Sequence, residues 1–209
     1  MVEAEGNKQD LGLTTNRIEA LTDGIFAIAM TLQVLSLNLP ETASILNEAG
    51  LHHLLMDQFD KFFNYARSFL LLAIFWIIHH QQFHSIIRTD RKHLWINIFM
   101  LMFVALIPFS TTLVGNFNND WMAEFFFGGN LFFVGLFIQL NWLYAANNHR
   151  LVRRNYPQDK INIGKKRGMI TPAISLLAMG ISIVNPSLAS YTYLLIPIIL
   201  SLPSLKRRV

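Results

Sequence analysis

In residues 17–35, RIEALTDGIFAIAMTLQVL, three charged side chains stand against an apolar run that carries no further charge until Glu41. A helix needs about 20 apolar residues to cross roughly 30 Å of hydrocarbon, and this run is long enough. Charged and polar groups in such a helix are costly in lipid, so they are functional candidates. The stretch therefore predicts a membrane-spanning helix whose first turns carry the charges Arg17, Glu19 and Asp23.

The composition also indicates a membrane protein. The 209 residues are 53% hydrophobic and only 14% charged, whereas soluble domains carry roughly 25% charged residues. The absence of cysteine excludes disulfides and thiolate metal sites. The sequence contains no phosphate-cradling glycine loop, no HExxH and no Gly-x-Ser-x-Gly motif, so we predict neither an enzyme nor a bound cofactor or metal.

Hydrophobic length predicts an all-α integral membrane protein made of a single six-helix domain, residues 1–209. The fifth and sixth spans are short and contain Pro172, Gly180, Pro197 and Pro203, so we expect kinks there. The six predicted spans cover residues 18–39, 62–83, 94–115, 122–144, 168–185 and 188–205.

The basic residues predict the orientation. If alternate loops share a side, fifteen of the Lys and Arg residues fall on one side and only Lys61 and Arg67 on the other. The positive-inside rule then places both termini in the cytoplasm, in a multi-pass protein of the cell membrane. Basic residues grouped at helix ends are explained by the bilayer, so we predict no nucleic-acid partner. Arg67 is expected to extend to the outer interface.

The first helix has distinct faces. At about 100° per residue, its three large aliphatic side chains Ile28, Leu32 and Leu35 form one stripe, flanked by Gly24 and Thr31. Asp23 points almost the opposite way and is six residues from Arg17, too far for a one-turn salt bridge. The carboxylate of Asp23 must therefore find its partner on another helix.

Membrane depth suggests that partner. His80 and Trp76 lie near the cytoplasmic end of the second span, and Asn97 near that of the third. A cluster of Asp23, His80 and Asn97 would satisfy three polar groups away from water. Two interpretations remain open: the cluster locks three helices together, or it relays protons.

Two other patterns carry weaker signals. TTLVGNF, residues 111–117, is similar to the TVGYG filter of potassium channels, but no pore helix and re-entrant loop surround it, so we predict an ordinary helix end. His80 and His84 are one turn apart, yet no carboxylate in the same helix completes a metal site.

The stretch RIEALTDGIFAIAMTL resembles the Arg-x-x-x-Phe-Ser-Asp-Gly signature of the lysosomal-type, transmembrane-protein-175 potassium channel family, in particular its prokaryotic members. Arg17, Asp23 and Gly24 match the signature, whereas Leu21 and Thr22 replace its Phe and Ser. The segments WIIHHQQF (76–83) and LWINIFMLMFVALIPFSTT (94–112) are also similar to that family. The resemblance covers roughly the first 115 residues.

The resemblance implies a homotetramer in which the first helix of each subunit lines a central pore without a TVGYG filter. Ile28 then takes the position of the family's hydrophobic constriction, with Leu32 and Leu35 further outward, and Thr31 takes that of the pore threonine. K⁺ is the expected permeant ion, with only modest preference over Na⁺ and other monovalent cations. The alternative is a proton-coupled membrane transporter that uses Asp23 and His80.

Overall fold

A computed structural model describes residues 15–37 and 48–202. Over these residues all regular secondary structure is helical, apart from one isolated bridge between Ile86 and Val152. The helices are α1 (Thr15–Leu32, extended by a 3₁₀ turn Gln33–Ser36), α2 (Glu48–Asp57), α3 (Phe59–Phe83), α4 (Arg91–Asn116), α5 (Trp121–Ala146, followed by a 3₁₀ turn Asn147–His149), α6 (Gln158–Gly168), α7 (Ile170–Ser182), α8 (Pro186–Thr192) and α9 (Leu195–Ser201).

Four helical segments are long and apolar enough to cross a membrane: Thr15–Ser36, Phe59–Phe83, Arg91–Asn116 and Trp121–His149. They correspond to the first four predicted spans. Some predicted features lie outside the described part of the chain. They are residues 38–39 of the first predicted span, residues 203–205 of the sixth, and the basic residues Lys8, Lys206, Arg207 and Arg208.

Aspartate side chains cap the N-termini of two of these helices. The side chain of Asp90 accepts a hydrogen bond from the backbone N–H of His93 at the start of α4, and Asp120 accepts from Met122 and Ala123 at the start of α5. Each carboxylate satisfies N–H groups that have no partner within the helix. Residues 111–116, which open the TTLVGNF segment, continue α4 to its end at Asn116.

The last third of the chain differs from the prediction. The fifth predicted span, residues 168–185, contains a helix of 13 residues, Ile170–Ser182, which at 1.5 Å per residue reaches only about 20 Å. The sixth divides into α8 and α9 around Tyr193 and Leu194. Pro197 has no N–H to bond the carbonyl oxygen of Tyr193 four residues earlier, so a single long helix cannot keep its regular hydrogen bonds at this break.

One helix was missing from the prediction. The predicted spans leave residues 145–167 as a loop between the fourth and the fifth, but Gln158–Gly168 forms α6, with Pro157 at its N-terminal cap. Ile161 is its only fully buried residue. A hydropathy search for spans could not detect so polar a helix.

The core forms where α1, α3, α4 and α5 meet, around Phe26, Phe75, Met100 and Leu131. A second cluster closes one end of the bundle, where the beginning of α1 meets the ends of α3 and α5. Its members include Ile18, Phe83, Trp142 and Ile161. Because Ile161 belongs to α6, we call this the α6 end of the bundle.

Candidate functional site

Helix α1 presents one buried and one exposed face. The buried side chains pack against α3 and α4 and recur every three or four residues: Ile18, Thr22, Phe26, Ala29, Gln33 and Ser36. Most of the other residues of the helix are exposed. Those on one side of it are Arg17, Leu21, Gly24, Ile28, Thr31, Leu32 and Leu35, and the rest are Asn16, Ala20, Asp23, Ala27 and Val34. The helix is therefore anchored to its own subunit along a single stripe.

The three residues predicted as a pore constriction all lie on the exposed face. In the single subunit Ile28 is 59% exposed, Leu32 43% and Leu35 60%. Leu35 belongs to the 3₁₀ turn Gln33–Ser36. Leu32 is the N-terminal cap of this turn, and a 3₁₀ helix turns about 120° per residue, so Leu35 stays on the same side of the helix as Leu32.

Thr31 lies beside this stripe and is also exposed. Its hydroxyl donates a hydrogen bond of 2.9 Å to the carbonyl oxygen of Ile28. That bond uses the only hydrogen of the hydroxyl, so the lone pairs of Oγ1 stay available as acceptors on the exposed face. The arrangement can offer oxygen to a cation that passes along α1.

Asp23 contacts α3 through Trp76. The Trp76 indole Nε1 donates a hydrogen bond of 2.8 Å to Asp23 Oδ1, and His80 stacks on the same indole with ring centroids 5.7 Å apart. Trp76 thus contacts both Asp23 and His80. The sequence prediction placed the Asp23 carboxylate between His80 and Asn97, whereas its hydrogen bond in the structure comes from Trp76.

Asn97 joins a different histidine from the one we predicted. Its Oδ1 lies 2.9 Å from Nε2 of His79, and its Nδ2 donates to the Thr22 hydroxyl at 3.3 Å. Asn141 of α5 donates to the same Oδ1 at 3.5 Å. His80 is exposed instead, because adjacent residues of a helix point about 100° apart and only one of the pair can face the core.

The two polar groups have different environments. Thr22, His79, Asn97 and Asn141 are buried and join α1, α3, α4 and α5, whereas Asp23 is exposed. Thr22 is one of the two departures from the family signature, and it keeps the hydroxyl that bonds Asn97. The buried group therefore fixes helix positions, and the group around Trp76 lies at the surface of the subunit.

The other signature residues lie at the same end. Arg17 is exposed, and a Cβ added to Gly24 would meet no atom of the subunit within 4 Å. Both therefore face away from the subunit's core. Among residues 15–37 and 48–202 no three His, Cys, Asp or Glu side chains are arranged to hold a metal ion.

At the opposite end of the bundle Arg67 behaves differently from our expectation. It does not extend to the interface but is buried against Glu124, with Nη1 3.4 Å from Oε1. Nη1 also donates to the hydroxyl of Ser190, and the guanidinium lies 4.5 Å from the centre of the Phe127 ring. We expected Arg67 to extend to the interface because it lies near the end of a predicted span. Its pairing with Glu124 of α5 depends on how the two helices pack, which the sequence does not show.

Taken together, these features define an all-helical membrane protein whose first helix is fixed by buried polar bonds on one side and leaves an aliphatic and threonine stripe uncovered on the other. The model of the family described as endosomal/lysosomal potassium channel TMEM175 matches residues 17–108, which include most of α1, all of α3 and most of α4. Over this part, which is less than half of its length, the chain is similar to the TMEM175 family.

Its relatives include bacterial and vertebrate proteins. A potassium channel of Chamaesiphon minutus is 28% identical over 188 residues, which are 88% of this chain and 90% of that protein. A crystal structure of a lysosomal potassium-selective channel TMEM175 homolog from Chamaesiphon minutus superimposes with a TM-score of 0.79 at 26% identity, covering 91% of this chain and 97% of that one. The endosomal/lysosomal proton channel TMEM175 of Gallus gallus is 27% identical over 110 residues, which are 50% of this chain and 22% of that protein.

Proposed function

We propose that this protein is a potassium-preferring cation channel in the cell membrane, with cytoplasmic termini and six spans per subunit: the four long helical segments, the shorter α7, and the pair α8 and α9. Four copies assemble so that α1 of each lines a central pore, and no TVGYG-type filter is involved. The observation that carries the proposal is the exposed stripe of Ile28, Thr31, Leu32 and Leu35 on a helix whose other face is buried. The bacterial relative's description as a potassium channel agrees with it.

The stripe supports a hydrophobic gate. A ring of four Ile28 side chains would exclude water from a narrow pore, and ions cannot cross a dry constriction. Helix α1 would open the pore by tilting or rotating, with Leu32 and Leu35 moving with it. The bond between Asp23 and Trp76 holds the middle of α1 to α3 and would act as the fixed point of that movement.

Thr31 supports a modest preference for K⁺. Four hydroxyl oxygens beside the stripe would replace part of the water shell of a passing cation, and the larger K⁺ loses its shell more readily than Na⁺. A full carbonyl cage, as in a TVGYG filter, would give stricter selection. No cofactor takes part in this mechanism.

The direct test is electrical. We expect purified protein in planar bilayers to give single-channel steps whose reversal potential follows the K⁺ gradient more closely than the Na⁺ gradient. Native mass spectrometry of the same sample is expected to show four copies. A reversal potential that follows neither cation would overturn the channel proposal.

The gate is tested by Ile28→Asn, which puts an amide where we place the dry constriction. We expect K⁺ flux into proteoliposomes to rise several-fold, because the amide lowers the cost of wetting the pore. The matched control is Ile198→Asn, since Ile198 of α9 is 56% exposed but lies away from α1. Equal flux from both variants and the unchanged protein would remove Ile28 as the gate.

A second candidate is proton-coupled transport through Asp23 and His80. The contact of both side chains with Trp76 favours it, and the vertebrate relative is described as a proton channel. Under this alternative K⁺ flux would saturate and depend on a pH gradient, and Asp23→Asn would abolish that dependence. Flux that ignores the pH gradient would exclude it.

A further inference from the structure

A cavity of about 140 Å³ opens at the α6 end of the bundle, between the last turns of α3, the end of α5 and helix α6. Its polar lining includes Gln81, Ser85 and Tyr156, and its apolar lining includes Ile78 and Ile163. None of these residues belongs to the proposed pore or to the contacts of Trp76 with Asp23 and His80.

Two glycines of α6 line the cavity and allow the close packing of α6 against α5. A Cβ on Gly164 would lie 2.6 Å from Cε2 of Trp142, and one on Gly168 would collide with the side chain of Gln139. Glycine therefore lets α6 lie directly against α5. The indole Nε1 of Trp142 donates to the carbonyl oxygen of Ile161 and fixes this approach.

The charges of the cavity are all of one sign. Lys160 and Arg167 both line it, and none of its lining residues is an acid. They are seven residues apart on α6, so they lie on the same side of the helix about 10 Å from each other. An anion between them would meet a cation on each side.

Arg167 is poorly compensated where it stands. Burial lowers the pKa of its guanidinium below the ordinary value, so the charge is partly desolvated. Its hydrogen bond of 3.0 Å goes to a neutral acceptor, the carbonyl oxygen of Leu200. A partly desolvated cation is attracted to a nearby anion more strongly than a cation in bulk water is.

We propose that this cavity is a binding site for the phosphate of an anionic phospholipid headgroup, held between Lys160 and Arg167, with the glycerol hydroxyls against Gln81 and Ser85. The apolar wall of Ile78, Ile163 and Trp142 favours a lipid over a free phosphate ion, because it offers contact to the glycerol backbone and the first acyl carbons. Basic cavities between membrane helices bind such headgroups in general.

The experiment measures lipid retained by the full-length protein. The protein is reconstituted in vesicles of equal parts phosphatidylcholine and phosphatidylglycerol, extracted in mild detergent and analysed by native mass spectrometry. We expect phosphatidylglycerol to be retained in preference. Lys160→Glu is expected to lower that retention roughly fivefold or more. Lys166→Glu makes the same charge change on an exposed side chain of α6 outside the cavity, and its retention should stay unchanged.

Gln81 provides a second pair of variants that leaves the fold intact, since its side chain is exposed at the mouth of the cavity. Gln81→Glu should lower retention and Gln81→Lys should raise it, each about fivefold. A purely structural role for Gln81 would not give opposite signs. Changes in the same direction, or equal effects of Lys160→Glu and Lys166→Glu, would overturn the proposal.

One further arm separates lipid from free phosphate. Inorganic phosphate at millimolar concentration should leave the retained phosphatidylglycerol in place; its complete displacement would overturn the lipid assignment. The readout is bound lipid and not ion flux, so its failure is distinguishable from failure of the channel proposal.

Discussion

At the scale of single residues, the orientation of the Thr31 hydroxyl is set by its own helix. The bond from Oγ1 to the carbonyl oxygen of Ile28 directs the hydrogen toward the backbone. The oxygen lone pairs then remain on the exposed face, where an acceptor can help to dehydrate a cation. Selectivity at this position would depend on the oxygen and not on the bulk of the side chain.

Thr31→Val tests that dependence, because valine keeps the shape of threonine without the oxygen. We expect the K⁺ to Na⁺ permeability ratio, measured from reversal potentials in planar bilayers, to fall toward one. Thr31→Ser keeps the oxygen and should keep most of the preference. If Thr31→Val and Thr31→Ser have the same ratio, the hydroxyl does not contribute to selection.

The neighbouring histidines of α3 have opposite environments. His79 is buried and lies 2.9 Å from Asn97 Oδ1, whereas His80 is exposed and stacks on Trp76. His79→Leu leaves a buried amide with one partner fewer, which costs about 1–3 kcal/mol. His80→Leu loses one ring contact at an exposed site and should cost under about 1 kcal/mol.

The free energy of unfolding in detergent micelles titrated with dodecyl sulfate measures both variants. The two substitutions are identical and one residue apart, so they share helix propensity and expression background. A larger loss of unfolding free energy for His80→Leu than for His79→Leu would show that the contact between His79 and Asn97 is not the main stabilising contact of these two histidines.

At the scale of helices, α5 packs against its neighbours through glycine. A Cβ on Gly128 would lie 2.6 Å from Cγ of Met179 and would collide with the hydroxyl of Tyr193, whereas one on Gly129 meets Met179 Cε at 3.9 Å. The Tyr193 hydroxyl donates to the carbonyl oxygen of Glu124, so a displaced ring also loses that bond.

Gly128→Ala should therefore lower the free energy of unfolding by about 1–3 kcal/mol, since overpacking a tight contact forces side chains out of place. Gly129→Ala should be neutral or slightly stabilising, because alanine favours helix over glycine. Thermal unfolding in detergent compares the two. Equal melting temperatures would mean that α7 and α8 adapt to the added methyl group.

The sequence could predict the long helices well, because length and hydropathy alone define them. The second, third and fourth predicted spans lie inside α3, α4 and α5 and begin or end within three residues of them. The exposed stripe of α1 was also predictable from helical periodicity. The pore position that we propose for this stripe depends on neighbouring subunits, and the periodicity of one chain carries no information about them.

Two features of the structure could not be predicted from the sequence: which histidine of α3 contacts Asn97, and the presence of helix α6. The choice of His79 over His80 as the partner of Asn97 follows from a rotation of α3 that packing sets. Helix α6 was not predicted because a search for long hydrophobic segments does not detect a polar helix. A burial signal exists in hindsight: Ile161, Gly164 and Gly168 recur at three- or four-residue spacing and form the face that lies against α5.

At the scale of the whole molecule, a buried charge joins the first half of the chain to the second. Arg67 of α3 pairs with Glu124 of α5 and bonds to Ser190 of α8, and the rings of Phe127 and Tyr193 lie beside its guanidinium. The cluster lies at the end of the bundle opposite α6. It holds the family-matched region, residues 17–108, to the helices that follow.

Removing one member of such a pair leaves the other charge buried without compensation, which costs about 3–5 kcal/mol. We therefore expect Arg67→Met to destabilise the protein severely, and the double variant Arg67→Met with Glu124→Gln to recover part of that loss, because neither charge then remains buried. Unfolding free energies in mixed micelles measure the cycle, with Lys61→Met as the control for losing a partly exposed cation from the same helix. If the double variant is less stable than Arg67→Met alone, the carboxylate of Glu124 is not the group that Arg67 compensates, and the hydrogen bonds to Ser190 must hold the two halves together.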